Sequence, residues 1–243
     1  MMENDNRMEN AIRQKKEKTV WDGQAAGYDS RTLKIFRHAY DLSIQKVRSI
    51  LTPEKTVLEI GCGTGIVTLG IAPYAGRIAA VDISPQMIAE AERKAERASA
   101  ANVEFRVSDG YSTPYDDGSF DVVLLFNVLH VVNEPAALLR EARRVLKPSG
   151  WLACAVDCYA EPVPFPVRLM LGVQQILKRI GVIPFLWNFR KEDVRRLFER
   201  HSFSILETDI LHPAPVNYYL LGRREAQGNR GGTREKGTGP HSP

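Results

Sequence analysis

This 243-residue chain has no apolar run that reads as a membrane span. The stretch VVLLFNVLHVV (122–132) is too short, and VRLMLGVQQILKRIGVIPFLW (167–187) is interrupted by charge, glycine and proline. The opening residues, MMENDNRMENAIRQKKEK, lack the apolar core of a signal peptide, so a soluble, cytoplasmic protein is expected. Cysteine is scarce. Cys62, Cys154 and Cys158 form no CxxC pair and leave one thiol over in any disulfide scheme, which implies reduced, buried thiols. Nor do they have partners at metal-ligand spacing, so no metal is expected. A basic core is also missing. The net charge is +4, but residues 223–243 carry five basic residues against Glu225 and Glu235, and the first 18 carry five against four. Residues 19–222 are therefore neutral, and a nucleic-acid partner is not expected.

The chain does have alternating strands and helices. A helical segment over 20–51 ends at Thr52-Pro53, followed by strand TVLEI (56–60), a glycine loop and a helix over 66–75. Strand RIAAVDI (77–83) leads to a helix that opens with Ser84 as cap and Pro85 at its first position. Strand VEFRVSD (103–109), a turn-rich segment and the wholly apolar strand FDVVLLFN (120–127) follow. A continuous apolar strand is buried on both faces, as in a parallel sheet covered by helices. After a helix over 134–150 come strand WLACAVDC (151–158), a Pro-rich insert, a helix over 190–203, and strands SILETDIL and VNYYLLGRR. The fold class is α/β: a Rossmann-like, seven-stranded, mostly parallel sheet with a C-terminal antiparallel strand and helices on both faces. Three regions are expected: a charged, partly disordered segment over 1–18, one domain over 19–222 with an insert at about 160–189, and a disordered basic tail over 223–243.

The loop VLEIGCGTG (57–65) carries the chemistry. A P-loop needs Gly-Lys-Ser/Thr, and Gly65 is followed by Ile66 and Val67. The dinucleotide fingerprint is GxGxxG, whereas Gly61, Gly63 and Gly65 run GxGxG. With Glu59 two positions ahead, the loop resembles the first motif of the class I S-adenosylmethionine-dependent methyltransferases, in the small-molecule, quinone- or lipid-like "type 11" subgroup. The similarity extends over about residues 20–160. It implies S-adenosyl-L-methionine as cofactor, with Glu59 turned to its cationic side, Asp82 at the ribose hydroxyls beside Ile83, Asp109-Gly110 at the adenine, and Asn127 and Val128 lining the cofactor. LREARRVLKPSGWL (139–152) is similar to the helix, turn and strand that follow in that family. Plainer roles also fit: a tight turn for Gly61 and Gly63, a helix cap for Asp82, a turn for Asp109, a small filler for Cys62, and packing beneath the adenine for Met87.

The resemblance implies methyl transfer to a small, apolar or aromatic acceptor by in-line displacement. A sulfonium is already a good leaving group, so the site must chiefly align the reactants, and a base is needed only where the acceptor loses a proton. His130 is the candidate base; packing at the start of the following helix fits it equally. Asp157 and Tyr159 come second, and His38 and Tyr40 lie on the helix expected to cover the site. VWDGQAAGYDSRT (20–32) resembles the family's entry segment and puts Tyr28 over the cofactor, or else makes it an aromatic anchor. In the insert, Phe165, Leu169, Met170, Val173 and Leu177 fall on one apolar side, with Arg168, Lys178 and Arg179 beside it. A lid packed on its own domain or on a second subunit is favoured there over peripheral membrane contact. A non-catalytic cofactor-binding subunit and a nicotinamide-dependent oxidoreductase are the alternatives. Arsenite methylation is disfavoured because no cysteine precedes Cys62, and base-amine methylation because the fourth strand runs into FNVLHVV.

Overall fold

The computed structural model describes residues 14–169, 171–172 and 186–225. Helix α1 (14–24) is followed by α2 (Tyr28–Arg48), β1 (Thr56–Ile60) and α3 (Ile66–Ile71), the last running into a 3-10 turn, Ala72–Tyr74. Next come β2 (Arg77–Asp82), α4 (Pro85–Ala98), β3 (Val103–Val107), β4 (Phe120–Phe126), α5 (Pro135–Val145) and β5 (Leu146–Cys158). Helix α6 (Lys191–Arg200) and strands β6 (Phe203–Pro213) and β7 (Val216–Arg224) close the order. The strands form one seven-stranded sheet, β3-β2-β1-β4-β5-β7-β6, in which β7 runs antiparallel to both neighbours.

The apolar strand at the sheet's centre explains this arrangement. Val122, Val123, Leu124 and Leu125 of β4 are wholly buried, so helices must cover both faces. On one face lie Leu138, Leu139, Ala142 and Val145 of α5 with Val194 and Phe198 of α6. On the other lie Ala39 and Val47 of α2 with Val67 and Ile71 of α3. Each fully buried Leu or Phe side chain contributes roughly 1.5–3 kcal/mol, so the central layers carry most of the stability.

Three element boundaries differ from expectation. The N-terminal helical segment is split near 25–27, where Gly27 takes φ +70° and α2 restarts at Tyr28. The helix expected over 134–150 ends at Val145, and β5 begins at Leu146. The helix after the glycine loop tightens into a 3-10 turn at Ala72, with Pro73 in its first turn. Among the described residues no helix is long and apolar enough to cross a membrane. The first strand has β2 on one side and β4 on the other. Their chains leave in opposite directions, which opens a crevice at the carboxyl ends of β1 and β4.

Candidate functional site

That crevice is a cleft enclosing about 890 Å³, its open mouth included. Its floor is the loop after β1. Gly61, Gly63 and Gly65 take φ of +76°, +52° and +76°, values glycine tolerates and other residues rarely adopt. A Cβ on Gly61 would lie 2.6 Å from Cγ2 of Val128, so glycine is required there by packing as well as by φ. At Gly63 a Cβ would meet nothing within 4 Å. The loop's amides are mostly spent within the protein. Those of Gly61 and Cys62 donate to the Val81 carbonyl, Gly63 to Asp82 Oδ2 at 2.9 Å, and Gly65 to the Cys62 carbonyl. What the loop offers a ligand is therefore close approach of bare backbone, more than a set of free donors.

Four carboxylates stand in walls that are otherwise mostly apolar and aromatic. Glu59, 2 % exposed, accepts from the Thr68 hydroxyl, and burial pushes its pKa up to about 8. Asp82 accepts the amides of Gly63 and Ser84, yet burial still raises its pKa. Asp109 and Glu17 also line the cleft, with Trp21, Tyr28, Tyr40, Cys62, Ile83, Met87, Ser108, Tyr111 and Asn127. Among the described residues no lysine, arginine or histidine lines it.

The expected site residues therefore separate into two layers. Tyr28, Glu59, Gly61, Cys62, Gly63, Asp82, Ile83, Met87, Asp109 and Asn127 face the cleft. Gly65 and Gly110 stand behind it: Gly65 backs onto Phe105 and Ala91, and Gly110, at φ +76°, onto Ile60. His130 is also in the second layer. It is 4 % exposed, burial lowers its pKa, and its Nδ1 accepts the Asp157 amide at 3.4 Å, which turns Nε2 toward the Asp157 carboxylate, 3.6 Å away. Asp157, its side chain 18 % exposed, stands in the more open position of the two. Of the insert, Phe165 and Leu169 are 68 % and 64 % exposed. Met170, Val173, Leu177, Lys178 and Arg179 lie outside the described residues.

Several residues that sequence reasoning did not single out fasten the N-terminal helices over the cleft. Gln14 donates to Asp109 Oδ2 at 2.8 Å, and Asn133 donates to Glu17. Asp22 accepts from the Ser84 hydroxyl at 2.6 Å, and Asp29 is held by Thr64 and Lys94, each at 2.5 Å. Only their tertiary partners identify these residues. In the sequence Gln14, Glu17 and Asn133 look like ordinary polar residues, and Asp22 and Asp29 belong to the entry segment over 20–32 with no sign there of these partners. Among the described residues no three His, Cys, Asp or Glu side chains cluster to hold a metal.

The fit to S-adenosylmethionine rests on this donor and acceptor set. The molecule carries an ammonium, a sulfonium, a ribose diol and an adenine amino group, groups that call for acceptors, and the cleft offers the carboxylates of Glu17, Glu59, Asp82 and Asp109, of which Glu59 and Asp82 are buried. A dinucleotide brings a pyrophosphate, for which the cleft offers no cation.

Comparison with known proteins agrees. Residues 58–154 match the family model described as "Methyltransferase domain". The chain is 35 % identical over 159 residues to a demethylmenaquinone methyltransferase of Tropheryma whipplei, covering 64 % of this chain and 65 % of that one. It is 35 % identical over 106 residues to an uncharacterized methyltransferase of Schizosaccharomyces pombe, covering 40 % of this chain and 38 % of that one. In fold it is similar to a chain from the solved complex between the Haloferax volcanii Trm112 methyltransferase activator and a methyltransferase. That match has a TM-score of 0.70 at 20 % identity over 85 % of this chain and 98 % of that one. The chain thus spans from about two fifths to two thirds of the length of these two curated relatives.

Proposed function

We propose that this chain, which carries a class I methyltransferase domain of the type 11 kind, is an S-adenosylmethionine-dependent methyltransferase acting on a small, apolar or aromatic acceptor. The observation that carries the reading is the cleft itself, which holds four carboxylates and three tyrosines, has no lining cation among the described residues and is floored by the left-handed Gly61 and Gly63.

Bound there, S-adenosylmethionine supplies a methyl group on a positively charged sulfur that leaves as a neutral thioether. The chain's own residues bind, orient and exclude water. Asp82, fixed by two backbone amides, is set to accept a diol, and Asp109 to accept an amino group. Glu59 supplies negative charge on the cationic side, and Met87 and Ile83 give an apolar bed. Helix α1, with Glu17 and Trp21 on the cleft wall, roofs the site and keeps bulk water from the reacting centre.

On the acceptor side, the cleft's negative charge disfavours anionic acceptors such as phosphate esters and suits neutral or cationic ones. The Tropheryma whipplei relative is described by its name as acting on demethylmenaquinone, which supports quinols and phenols as first candidates. Neither His130 nor Asp157 lines the cleft, so the reading asks of this site alignment of the reactants more than a general base.

Calorimetric titration with S-adenosylmethionine, S-adenosylhomocysteine and NADH tests the cofactor. Binding of the first two, lost in Asp82→Ala, supports the reading; binding of NADH in their place overturns it. Methyl transfer by the isolated protein to a panel of phenols, quinols and lipid-like amines then tests catalysis, and no transfer to any of them would favour a non-catalytic, cofactor-binding role.

A further inference from the structure

Beyond the cleft, a chain of buried hydrogen bonds joins its wall to β7, the antiparallel strand. Asn217 of β7 stands opposite Asp157 of β5. Its Nδ2 donates to Asp157 Oδ1 at 2.6 Å and to Asn127 Oδ1 at 2.7 Å. Asn127 follows β4 in the left-handed region, φ +55°, held by its own amide on the Ala155 carbonyl at 2.8 Å. Its side chain neighbours Tyr40, which in turn neighbours Tyr28. Asn127, Tyr40 and Tyr28 all line the cleft; Asn217 and Asp157 do not.

The chemistry of the end group fixes the direction of the chain. A carboxylate only accepts, so the atom of Asn217 facing Asp157 is the amide nitrogen. Its second hydrogen points at Asn127, which must therefore turn its oxygen to Asn217 and its NH2 away from it, on the cleft side. Asn127 thus shows the cleft a defined donor because of a carboxylate two residues removed from it. We propose that Asn217 is a positioning residue that sets the hydrogen-bond polarity of Asn127 and thereby tunes the cleft for its cofactor. The inference rests on the methyltransferase reading.

The test uses S-adenosylhomocysteine titrated into the full chain, with thermal melting alongside. Asn217→Ser, too short to span both partners, should weaken binding about tenfold, the scale of one lost hydrogen bond. The exchange Asn217→Asp with Asp157→Asn restores an amide–carboxylate pair between β5 and β7 but reverses the chain. Asn127 would then have to donate toward β7 and turn its oxygen to the cleft. The exchanged protein should melt within a few degrees of wild type yet bind about tenfold more weakly. Recovery of stability and affinity together would show a purely structural role and overturn the proposal, as would unchanged affinity in Asn217→Ser. Should the exchanged protein fail to fold, Asn217→Ser alone decides. Wild-type protein that does not bind S-adenosylhomocysteine would instead refute the methyltransferase reading.

Discussion

Glu59 gives the sharpest test of the cleft's electrostatics. Burial raises its pKa from the ordinary 4.5 to about 8, so at pH 7 roughly nine sites in ten hold a proton in the free protein. A ligand that sets an ammonium or sulfonium against this carboxyl favours its charged form and must release that proton, close to 0.9 per site at pH 7. Ionising Glu59 at pH 7 costs about 1.4 kcal/mol, one unit of pKa above pH, so affinity should rise about tenfold per pH unit up to about 8 and then level off. Calorimetry of S-adenosylmethionine binding in buffers of different ionisation enthalpy reads the proton directly. The sign for folding is the reverse of a salt-bridged carboxylate. The folded state holds the proton more tightly than the unfolded one, so the free protein loses stability as pH rises from about 4.5 to about 8. The loss is at most about 5 kcal/mol. Glu59→Gln should abolish both dependences. A binding enthalpy independent of buffer at pH 7 would refute the assignment of a cation to this carboxyl.

Asp82→Asn keeps the size of the side chain but presents a carboxamide to the amides of Gly63 and Ser84, and should weaken S-adenosylmethionine binding about 10–100-fold by calorimetry. Alanine at Gly61 meets Val128 at 2.6 Å and should abolish cofactor binding. Alanine at Gly63, where the space is open, should cost only about 1–2 kcal/mol of stability from its left-handed φ, read by chemical denaturation. Burial pushes the Glu141 carboxyl up, but its bonds to Arg144 and Thr113 outweigh this and hold its pKa below the ordinary value. Its stabilising effect is therefore full above the ordinary carboxylate range and lost as pH falls through the folded pKa. Glu141→Ala, leaving the Thr113 amide unpaired, should cost about 2–4 kcal/mol at pH 7, and an unchanged melting temperature would exclude that role.

The amino-acid sequence alone determined the sheet, the glycine loop and about half of the cleft's lining. These are local properties. Strand β4 declares its double burial by five consecutive apolar residues, Val122 to Phe126. Ser84-Pro85 declares the start of α4, and GxGxG after a strand declares a backbone built for close approach. Tertiary structure decided what depends on partners distant in the chain. Asn217, 90 residues from Asn127, carries no sequence signal, because its importance lies in reaching two side chains on different strands at once. His130 sits near the strand ends, as its position in the chain implies, but packing turned it behind Asp157. The loop's amides were claimed by Val81, Asp82 and Cys62, which no spacing rule records. Phe165 and Leu169 share an apolar spacing that reads as a buried stripe, yet both are exposed, since periodicity fixes which residues share a face and only packing fixes what that face meets.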